Sequence, residues 1–439
     1  MLTATLQQRL EAAWERTDRL FDLLEPAAMT ARPIPLRHPF IFYLGHLPAF
    51  GWNQVCRGLL GRSSPRPEFD DLFERGIDPP DTGPAEVAPM RWPEVGEVLA
   101  YRDHVRDELR AAFDLTDRWA SDDIMARGGR AFSVVLEHEL MHHETLLYML
   151  AELDAGLKRP PEGMPPPSLE TGATRHPVLI PGGEATLGAR FEAIPFGWDN
   201  EFPQKVVRVP AFQIDSTPVT NGEFLEFVRD GGYERPEHWT GEGWKWRVER
   251  DQEHPHAWSC RDDEWFVRSL FDEHPLVRVF DWPAQVSWAE ASAFARWEGR
   301  RLPTEGEFHR AAYGTPDGGV RSWPWGEASP APRHGNFGYK HWMPTPVGSH
   351  PEGASAYGVH ELVGNGWEWT SSLFAPFPGF TAYMPNYQGY SADFFDNRHY
   401  VVLGGSWATD AALLRRSMRN WFQPHYPYVF GKFRCVGPA

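Results

Sequence analysis

Two histidines four residues apart are the clearest sign of metal chemistry in this sequence. They lie in "EHELMHHETLLYML" (137–150), where the spacing of the apolar residues predicts a helix. On a helix, His138 and His142 share one face, with about 5–6 Å between their Cβ atoms, so both imidazoles can bind one ion. Glu139 and His143 project from other faces. The segment therefore predicts part of a metal site.

The same residues fit the HExxH pattern of zinc proteases, in which the Glu is the general base and a third ligand follows. One class of these enzymes continues as HExxHxxGxxH, but here Thr145 replaces the Gly and Tyr148 replaces the third His. A later Glu, such as Glu152, lies on the same uninterrupted helix and is too near to fold back. The protease interpretation therefore lacks its third ligand.

His46 is a better third ligand. It lies among apolar residues in the predicted helix "RHPFIFYLGHLPAFGWNQ", and antiparallel helices of a bundle can direct it across the core. The alternative is a core histidine that hydrogen-bonds locally, and His38, just before Pro39, is a competing ligand. Three imidazoles leave coordination positions open, which suits Fe(II) oxygen chemistry or catalytic zinc.

Composition narrows the class of protein. A formal charge of -17 in 439 residues argues against nucleic acid or an anionic membrane as the main partner, and leaves small molecules and proteins. No apolar run approaches the roughly 20 residues that span a bilayer. The three cysteines, Cys56, Cys260 and Cys435, are far apart in sequence, which indicates a reducing, cytoplasmic location.

The chain changes character near residue 158, and the predicted fold is α+β and multidomain. Residues 1–157 carry four stretches of helical periodicity and predict a four-helix bundle that holds the metal ligands. Residues 158–177 form a proline-rich linker. Residues 178–439 combine short strands and many turns with only two convincing helices. The helical stretches of the first part are 4–25, 40–61, 94–117 and 124–155, and those of the second are 220–232 and 287–299.

An ordered series of motifs resembles a known family along nearly the whole chain. "YLGHLPAF" and "EHELMHHE" resemble the iron-binding pattern of the DinB-like domain in the sulfoxide synthases of ergothioneine and ovothiol biosynthesis. "PGGEATLGA", "RLPTEGEFHRAA", "GNGWEWT", "GGSWATD" and "RRSMRNWF" resemble their formylglycine-generating-enzyme-like domain, a variant of the C-type lectin fold. The resemblance implies this fold for residues 178–439, together with a substrate pocket there.

The resemblance also implies roles for individual residues. His46, His138 and His142 would bind Fe(II), with O2 as co-substrate. Asn420 and Trp421 would face the trimethylammonium group of hercynine, for which an aromatic ring is a cation–π partner. From the residues alone, Trp421 is equally a core residue.

A tyrosine that donates a proton to the oxygen chemistry is implied within "TAYMPNYQGYSADFF". Tyr383 is the closest positional match when counted back from "RNW". Tyr387 and Tyr390 are its rivals, because loop lengths differ within the family.

Three positions depart from the family's pattern. The type that uses γ-glutamylcysteine has Asp and Arg where this chain has Phe422 and Tyr426, and two aromatic rings do not suit the charged ends of that donor. Met141 stands where the ergothioneine type often has a Gln that holds the substrate imidazole. These aromatic rings could instead stack on a sugar, which favours a selenosugar donor and the selenoneine synthase branch.

Other interpretations stay open. Free cysteine or γ-glutamylcysteine would make the protein an ergothioneine-type synthase. A DinB-like zinc hydrolase or thiol transferase would keep the three ligands but use bound water. A formylglycine-generating enzyme needs reactive cysteines, and a lectin-like domain can bind without catalysis. The sequence does not determine the oligomeric state.

Overall fold

The computed structural model describes residues 2–74, 91–115, 122–169 and 172–439, and the chain divides into two compact units. The first unit contains Met1–Gly163 and also Tyr383–Gln388, and the second contains Met164–Ala382 and Gly389–Ala439. The start of the predicted linker belongs to the first unit because its backbone pairs there: Glu25 N–H donates to Leu157 O at 2.9 Å, and Arg159 N–H donates to Leu23 O at 2.9 Å. Positions 170–171 of that linker lie outside the described residues.

The first unit is helical. The four long helices of the sequence prediction are present, with shorter bounds, and α3 is an additional short helix. The helices are α1 (Leu2–Phe21), α2 (Phe40–Gly51), α3 (Pro67–Phe73), α4 (Val95–Phe113) and α5 (Arg130–Glu152). The α-helical part of α2 ends at Gly51, and the chain continues as a π-helical turn over Trp52–Arg57. Residues 116 and 117, the end of one predicted helix, lie outside the described ranges.

Helix α2 is the centre of the first unit. All twelve of its residues are buried, as expected of a helix that is apolar on every side. It packs against α4 and α5, and α1 packs against α5. Gly51 permits the close approach to α4, since a Cβ there would lie 2.9 Å from a methyl carbon of Leu109. Helices α2 and α5, which carry His46, His138 and His142, therefore pack in a dense apolar core.

Within its described residues, the second unit contains twelve short strands in four small sheets. Their orders are β1-β4-β12, β10-β9-β8-β11, β2-β3 and β5-β6-β7, and β11 runs parallel to β8. The strands are β1 (Pro177–Ile180), β2 (Gly183–Leu187), β3 (Lys205–Val209), β4 (Phe212–Asp215), β5 (Trp258–Arg261), β6 (Glu264–Arg268), β7 (Glu273–Pro275), β8 (Trp367–Leu373), β9 (Tyr400–Leu403), β10 (Asn420–Phe422), β11 (Gly431–Lys432) and β12 (Val436–Pro438).

The second unit has more helix than the sequence predicted. The two predicted helices are α6 (Asn221–Arg229) and α8 (Trp288–Trp297), but α7 (Gly241–Glu249), α9 (Glu305–Tyr313) and the single turn α10 (Gly389–Ala392) were missed. Glycines in the first turns of α7 and α9 weaken the helical signal there. Among the described helices of the whole chain, none is long and apolar enough to cross a membrane.

A buried ion cluster links β8 and β11. Glu368 on β8 pairs in register with Lys432 on β11, and Lys432 Nζ lies 2.7 Å from Glu368 Oε2. Arg434 Nε contacts Glu368 Oε1 at 2.8 Å, and all three side chains are fully buried. The carboxylate of Glu368 thus forms ion pairs with two buried cations.

Candidate metal centre

The structure brings His46, His138 and His142 together. His46 comes from α2, and the other two come from one face of α5. His138 Nε2 lies 3.2 Å from both His46 Nε2 and His142 Nε2, and the three nitrogens form one cluster within 4.8 Å. All three side chains are buried. The imidazoles therefore direct the same ring nitrogen at one point.

The backbone fixes the tautomer of His46. Its Nδ1 lies 2.7 Å from the carbonyl oxygen of Phe73, the last residue of α3. A carbonyl only accepts hydrogen bonds, so Nδ1 carries the hydrogen and Nε2 presents its lone pair. An interaction of this kind orients metal-binding histidines in many proteins.

Burial keeps these imidazoles neutral. It lowers the pKa of His46 to about 4, against the opposing effect of the Phe73 hydrogen bond. Burial, together with the neighbouring imidazoles, also lowers the pKa values of His138 and His142 well below the ordinary range. A metal ligand must be deprotonated, so the ring nitrogens are ready to bind a cation.

The three residues fit a transition-metal ion. Two nitrogens bound to one ion at about 2.1 Å, with angles between 90° and 109°, lie about 3.0–3.4 Å apart. The two measured separations of 3.2 Å fall in this range. Three neutral nitrogen donors suit Fe(II) or Zn(II) and leave positions for substrates.

Glu139 and His38 lie elsewhere. The Thr17 hydroxyl of α1 donates to Glu139 Oε1 at 2.5 Å and lies 2.8 Å from His143 Nε2, so Glu139 faces α1. This carboxylate is not placed as the base of an HExxH site. His38, the competing ligand, stacks on Phe42 with 4.1 Å between ring centroids and is outside the three-histidine cluster.

The tyrosine candidates fall into different units. Tyr383 and Tyr387 belong to the segment Tyr383–Gln388, which forms part of the unit that contains the three histidines. Tyr390 belongs to the second unit, where it stacks on Trp198 at 4.1 Å and meets Trp421 edge-on at 5.4 Å. The sequence did not reveal this division, because the three tyrosines lie within eight positions of one another.

Trp421 and Asn420 lie on β10 and are half-buried. One face of Trp421 stacks on Phe374, with ring centroids 4.0 Å apart and planes at 10°. Tyr390 and Phe394 also contact this ring, with centroids 5.4 and 5.5 Å away, so these contacts support the core role and the substrate role stays a prediction. Met141 is half-buried on α5, between His138 and His142.

Phe422 and Tyr426 are arranged differently from the expectation. They stack on each other, with centroids 5.4 Å apart and planes at 14°, and less than a tenth of each side chain is exposed. This stack covers one face of each ring, and the low exposure leaves little of either ring for a sugar. The two positions contribute no carboxylate and no guanidinium.

The cysteines offer no reactive pair. Cys56, Cys260 and Cys435 are all free thiols, and burial raises the pKa of Cys435 well above its ordinary value. Cys435 lies near Asp215 and Glu298 in a second group of possible metal ligands. Arg175 pairs with both carboxylates, so ion pairs already occupy that group.

Gly45 on α2 allows close packing against Phe73, the residue whose carbonyl oxygen orients His46. A Cβ on Gly45 would lie 2.4 Å from the ring of Phe73, so we expect Gly45→Ala to displace Phe73. The cost should be about 1–3 kcal/mol of unfolding free energy, despite the better helix propensity of Ala. Metal affinity should fall as well, because the His46 hydrogen bond is disturbed.

Urea unfolding and metal analysis of the Gly45→Ala protein test this expectation. Gly96→Ala, in the first turn of α4, is the matched control because a Cβ there meets nothing within 4 Å. Equal stability and metal content in both variants would show that Phe73 accommodates the added methyl group.

Comparison with known proteins agrees with this architecture. Residues 9–146 match the DinB superfamily, and residues 164–439 match the sulfatase-modifying factor enzyme 1-like domain. The hercynine oxygenase of Mycolicibacterium smegmatis is 36% identical, over 98% of this chain and 98% of its own length. Ergothioneine biosynthesis protein 1 of Neurospora crassa is 31% identical, over 98% of this chain and 57% of its own length. A formylglycine-generating enzyme from Streptomyces coelicolor is 33% identical over 48% of this chain.

A helical DinB-like unit with three converging imidazoles, followed by a sulfatase-modifying-factor-like unit, defines a class of two-domain proteins. Within this class, the chain belongs to the family of ergothioneine-type sulfoxide synthases, the hercynine oxygenases. The family and the fold class predicted from the sequence are therefore confirmed.

Proposed function

We propose that this protein is a nonheme Fe(II), O2-dependent synthase that joins a chalcogen to the imidazole carbon of hercynine. The observation that carries the proposal is the convergence of His46, His138 and His142 in a member of this family. Bound Fe(II) would supply oxygen chemistry at its open coordination positions. O2 is the four-electron oxidant in this proposal: the C–H bond between the ring nitrogens and the donor's S–H or Se–H bond are replaced by a C–S or C–Se bond, one oxygen atom ends on the chalcogen as a sulfoxide or selenoxide, and the other leaves as water.

The protein's own residues have three tasks in this proposal. The neutral imidazoles of His46, His138 and His142 hold the cation, and their burial keeps bulk water away from it. Trp421 faces the trimethylammonium group of hercynine, with Asn420 beside it. The hydroxyl of Tyr383 or Tyr387 donates a proton to reduced oxygen. Tyr390 is the weakest of the three candidates because its ring stacks on Trp198, with centroids 4.1 Å apart.

For the donor, we propose a selenosugar, and hence selenoneine biosynthesis. The support is the lack of charge at Phe422 and Tyr426, where the γ-glutamylcysteine type has Asp and Arg. Because less than a tenth of each of these side chains is exposed, the proposal depends on the lack of charge and not on stacking against a sugar. An ergothioneine-type reaction with cysteine is the alternative, and the names of the relatives favour sulfur.

Donor selectivity is a specific prediction. We expect γ-glutamylcysteine to be the poorest donor, with kcat/KM about 100-fold below that of the best one. Two missing charge-assisted hydrogen bonds, each worth about 1.5–3 kcal/mol, account for at least this factor.

An aerobic assay of the Fe(II)-loaded protein tests both proposals. Hercynine is offered with cysteine, γ-glutamylcysteine and a selenosugar in parallel, and mass spectrometry identifies the adducts. Preferential selenium adduct from the selenosugar supports the donor proposal. Preferential sulfur adduct from either thiol would contradict it but keep the synthase. No adduct from any donor would contradict the synthase itself.

A zinc hydrolase is the alternative, and its activity would not depend on O2. That alternative needs a base near the metal, and Glu139, the residue of the HExxH pattern, is hydrogen-bonded to Thr17 instead. Loss of adduct formation under nitrogen would exclude this alternative, because a hydrolase does not use O2.

A further inference from the structure

Each ligand imidazole needs something to fix its plane. The torsion that rotates a histidine ring about its Cβ–Cγ bond has broad minima, so the rotamer alone does not set the direction of Nε2. For His46, the hydrogen bond from Nδ1 to Phe73 O supplies this restraint. For His138, the hydrogen bonds within the described residues all involve Nε2, the nitrogen that faces the other two imidazoles.

An aromatic face restrains His138 instead. The ring of Phe50, on α2, lies against the imidazole with centroids 3.6 Å apart and planes only 7° from parallel. At this separation the two faces are in van der Waals contact, so rotating the imidazole would drive its edge into the phenyl ring. Phe50 is buried, one helical turn beyond His46.

Phe50 is itself held from a distant part of the sequence. Tyr387 meets it in a T-shaped contact, with ring centroids 5.3 Å apart and planes at 70°. Tyr387 lies in Tyr383–Gln388. Among the described residues after Gly163, only this segment belongs to the first unit. The nearby Met384 is fully buried.

We propose that Phe50 is a positioning residue that sets the plane of the His138 imidazole for metal binding, and that Tyr387 holds Phe50 in place. Two ligands of one ion are thus oriented by different means, His46 by a carbonyl and His138 by a ring. The segment Tyr383–Gln388 thereby affects the metal centre through packing. This inference rests on the metal centre of the proposed function and is independent of the donor.

Co(II) binding to the metal-free protein tests the inference without turnover. Visible d–d absorption reports the coordination geometry, and competition with a chelator reports the affinity. Phe50→Leu should weaken Co(II) binding about tenfold, the lower end of the effect of outer groups that orient metal ligands, and should alter the spectrum. Phe50→Tyr keeps the ring face and should restore both properties.

A matched control separates positioning from general packing. Phe132 lies on α5, is fully buried and stacks on Phe113 with centroids 3.7 Å apart and planes at 16°. Phe132→Leu should lower the unfolding temperature as Phe50→Leu does, but should keep the wild-type Co(II) affinity and spectrum. Tyr387→Leu should shift both properties in the same direction as Phe50→Leu, and Tyr387→Phe should not.

The outcomes distinguish this inference from the proposed function. Wild-type Co(II) affinity and spectrum in Phe50→Leu would overturn the role of Phe50, and wild-type behaviour of Tyr387→Leu would overturn the role of Tyr387. Failure of the wild-type protein to bind Co(II) would overturn the metal centre itself. An altered spectrum in Phe50→Leu, combined with no adduct from any donor, would support the positioning role and contradict only the reaction.

Discussion

Replacing His138 with Ala should remove both bound iron and activity. His138 Nε2 is 3.2 Å from each of the other two ligand nitrogens, so it occupies the middle of the cluster. Loss of a residue that merely orients a ligand costs about 10–100-fold in metal affinity, so loss of the ligand itself should exceed about 100-fold. Metal analysis and the adduct assay measure the two effects on one preparation.

His143→Ala is the control for this experiment. His143 is an equally buried imidazole of the same helix, but its Nε2 lies 2.8 Å from the Thr17 hydroxyl rather than in the metal cluster. Its removal should cost stability and leave iron at the wild-type ratio. Full iron content and turnover in His138→Ala would show that the assigned ligand set is wrong.

Glu368→Gln should be the most destabilising single substitution in the second unit. Glu368 is the shared partner of Lys432 and Arg434, and all three are fully buried. Removing one partner from a buried ion pair typically costs about 3–5 kcal/mol, because a charge is left uncompensated. Here two cations lose their partner, so the loss of unfolding free energy should lie at the upper end of this range.

The pH dependence gives this prediction a second test. Burial would raise the pKa of Glu368, but Arg434 and Lys432 outweigh it and hold the pKa below the ordinary value of 4.5. The stabilisation should therefore be complete above that ordinary value and lost as the pH falls through the lowered pKa. The difference in stability between wild type and Glu368→Gln should be constant near neutral pH and shrink in acid.

Glu361→Gln is the control for the ion cluster. Glu361 is equally buried, but its burial raises its pKa to about 7, so at neutral pH much of it is already uncharged. A neutral amide should therefore change stability much less than it does at Glu368. Similar losses for both substitutions, measured by urea unfolding, would contradict the account of the cluster.

The convergence of His46, His138 and His142 could be predicted from the sequence because part of it depends on local spacing. His138 and His142 share one face wherever their segment is helical. The apolar residues around His46 indicate that its helix lies in the core. The family resemblance then indicated that His46 binds the same ion as His138 and His142. The residues that orient the ligands were not predicted, because they depend on contacts between distant elements.

Phe73 and Tyr387 illustrate this limit. Phe73 orients His46 through its backbone carbonyl, an atom that every residue has, so no side-chain pattern marks it. Tyr387 lies more than 300 positions from Phe50 in sequence, and periodicity carries no information about such contacts. Phe42 and Phe50, each one turn from His46, do give a visible pattern, but the pattern does not show that Phe50 stacks on a histidine of another helix.

The missed helices have a different cause. Helix α9 opens with Thr304 and Glu307, whose reciprocal hydrogen bonds form a capping box, and the same S/T-x-x-E pattern opens α6 and α8. This signal was present in the sequence. Gly306 and the short length of α9 weaken its helical periodicity, but packing in the core of the second unit stabilises the helix.

Oxygen consumption tests the central claim most directly. The Fe(II)-loaded protein is placed in an oxygen electrode with hercynine and its best chalcogen donor, and the adduct is quantified in the same sample. We expect about one O2 consumed for each adduct formed, and no such uptake from the His138→Ala protein, because the oxygen chemistry is proposed to take place at an iron ion that His138 binds. Adduct formation that continues at the same rate without O2 would contradict the account.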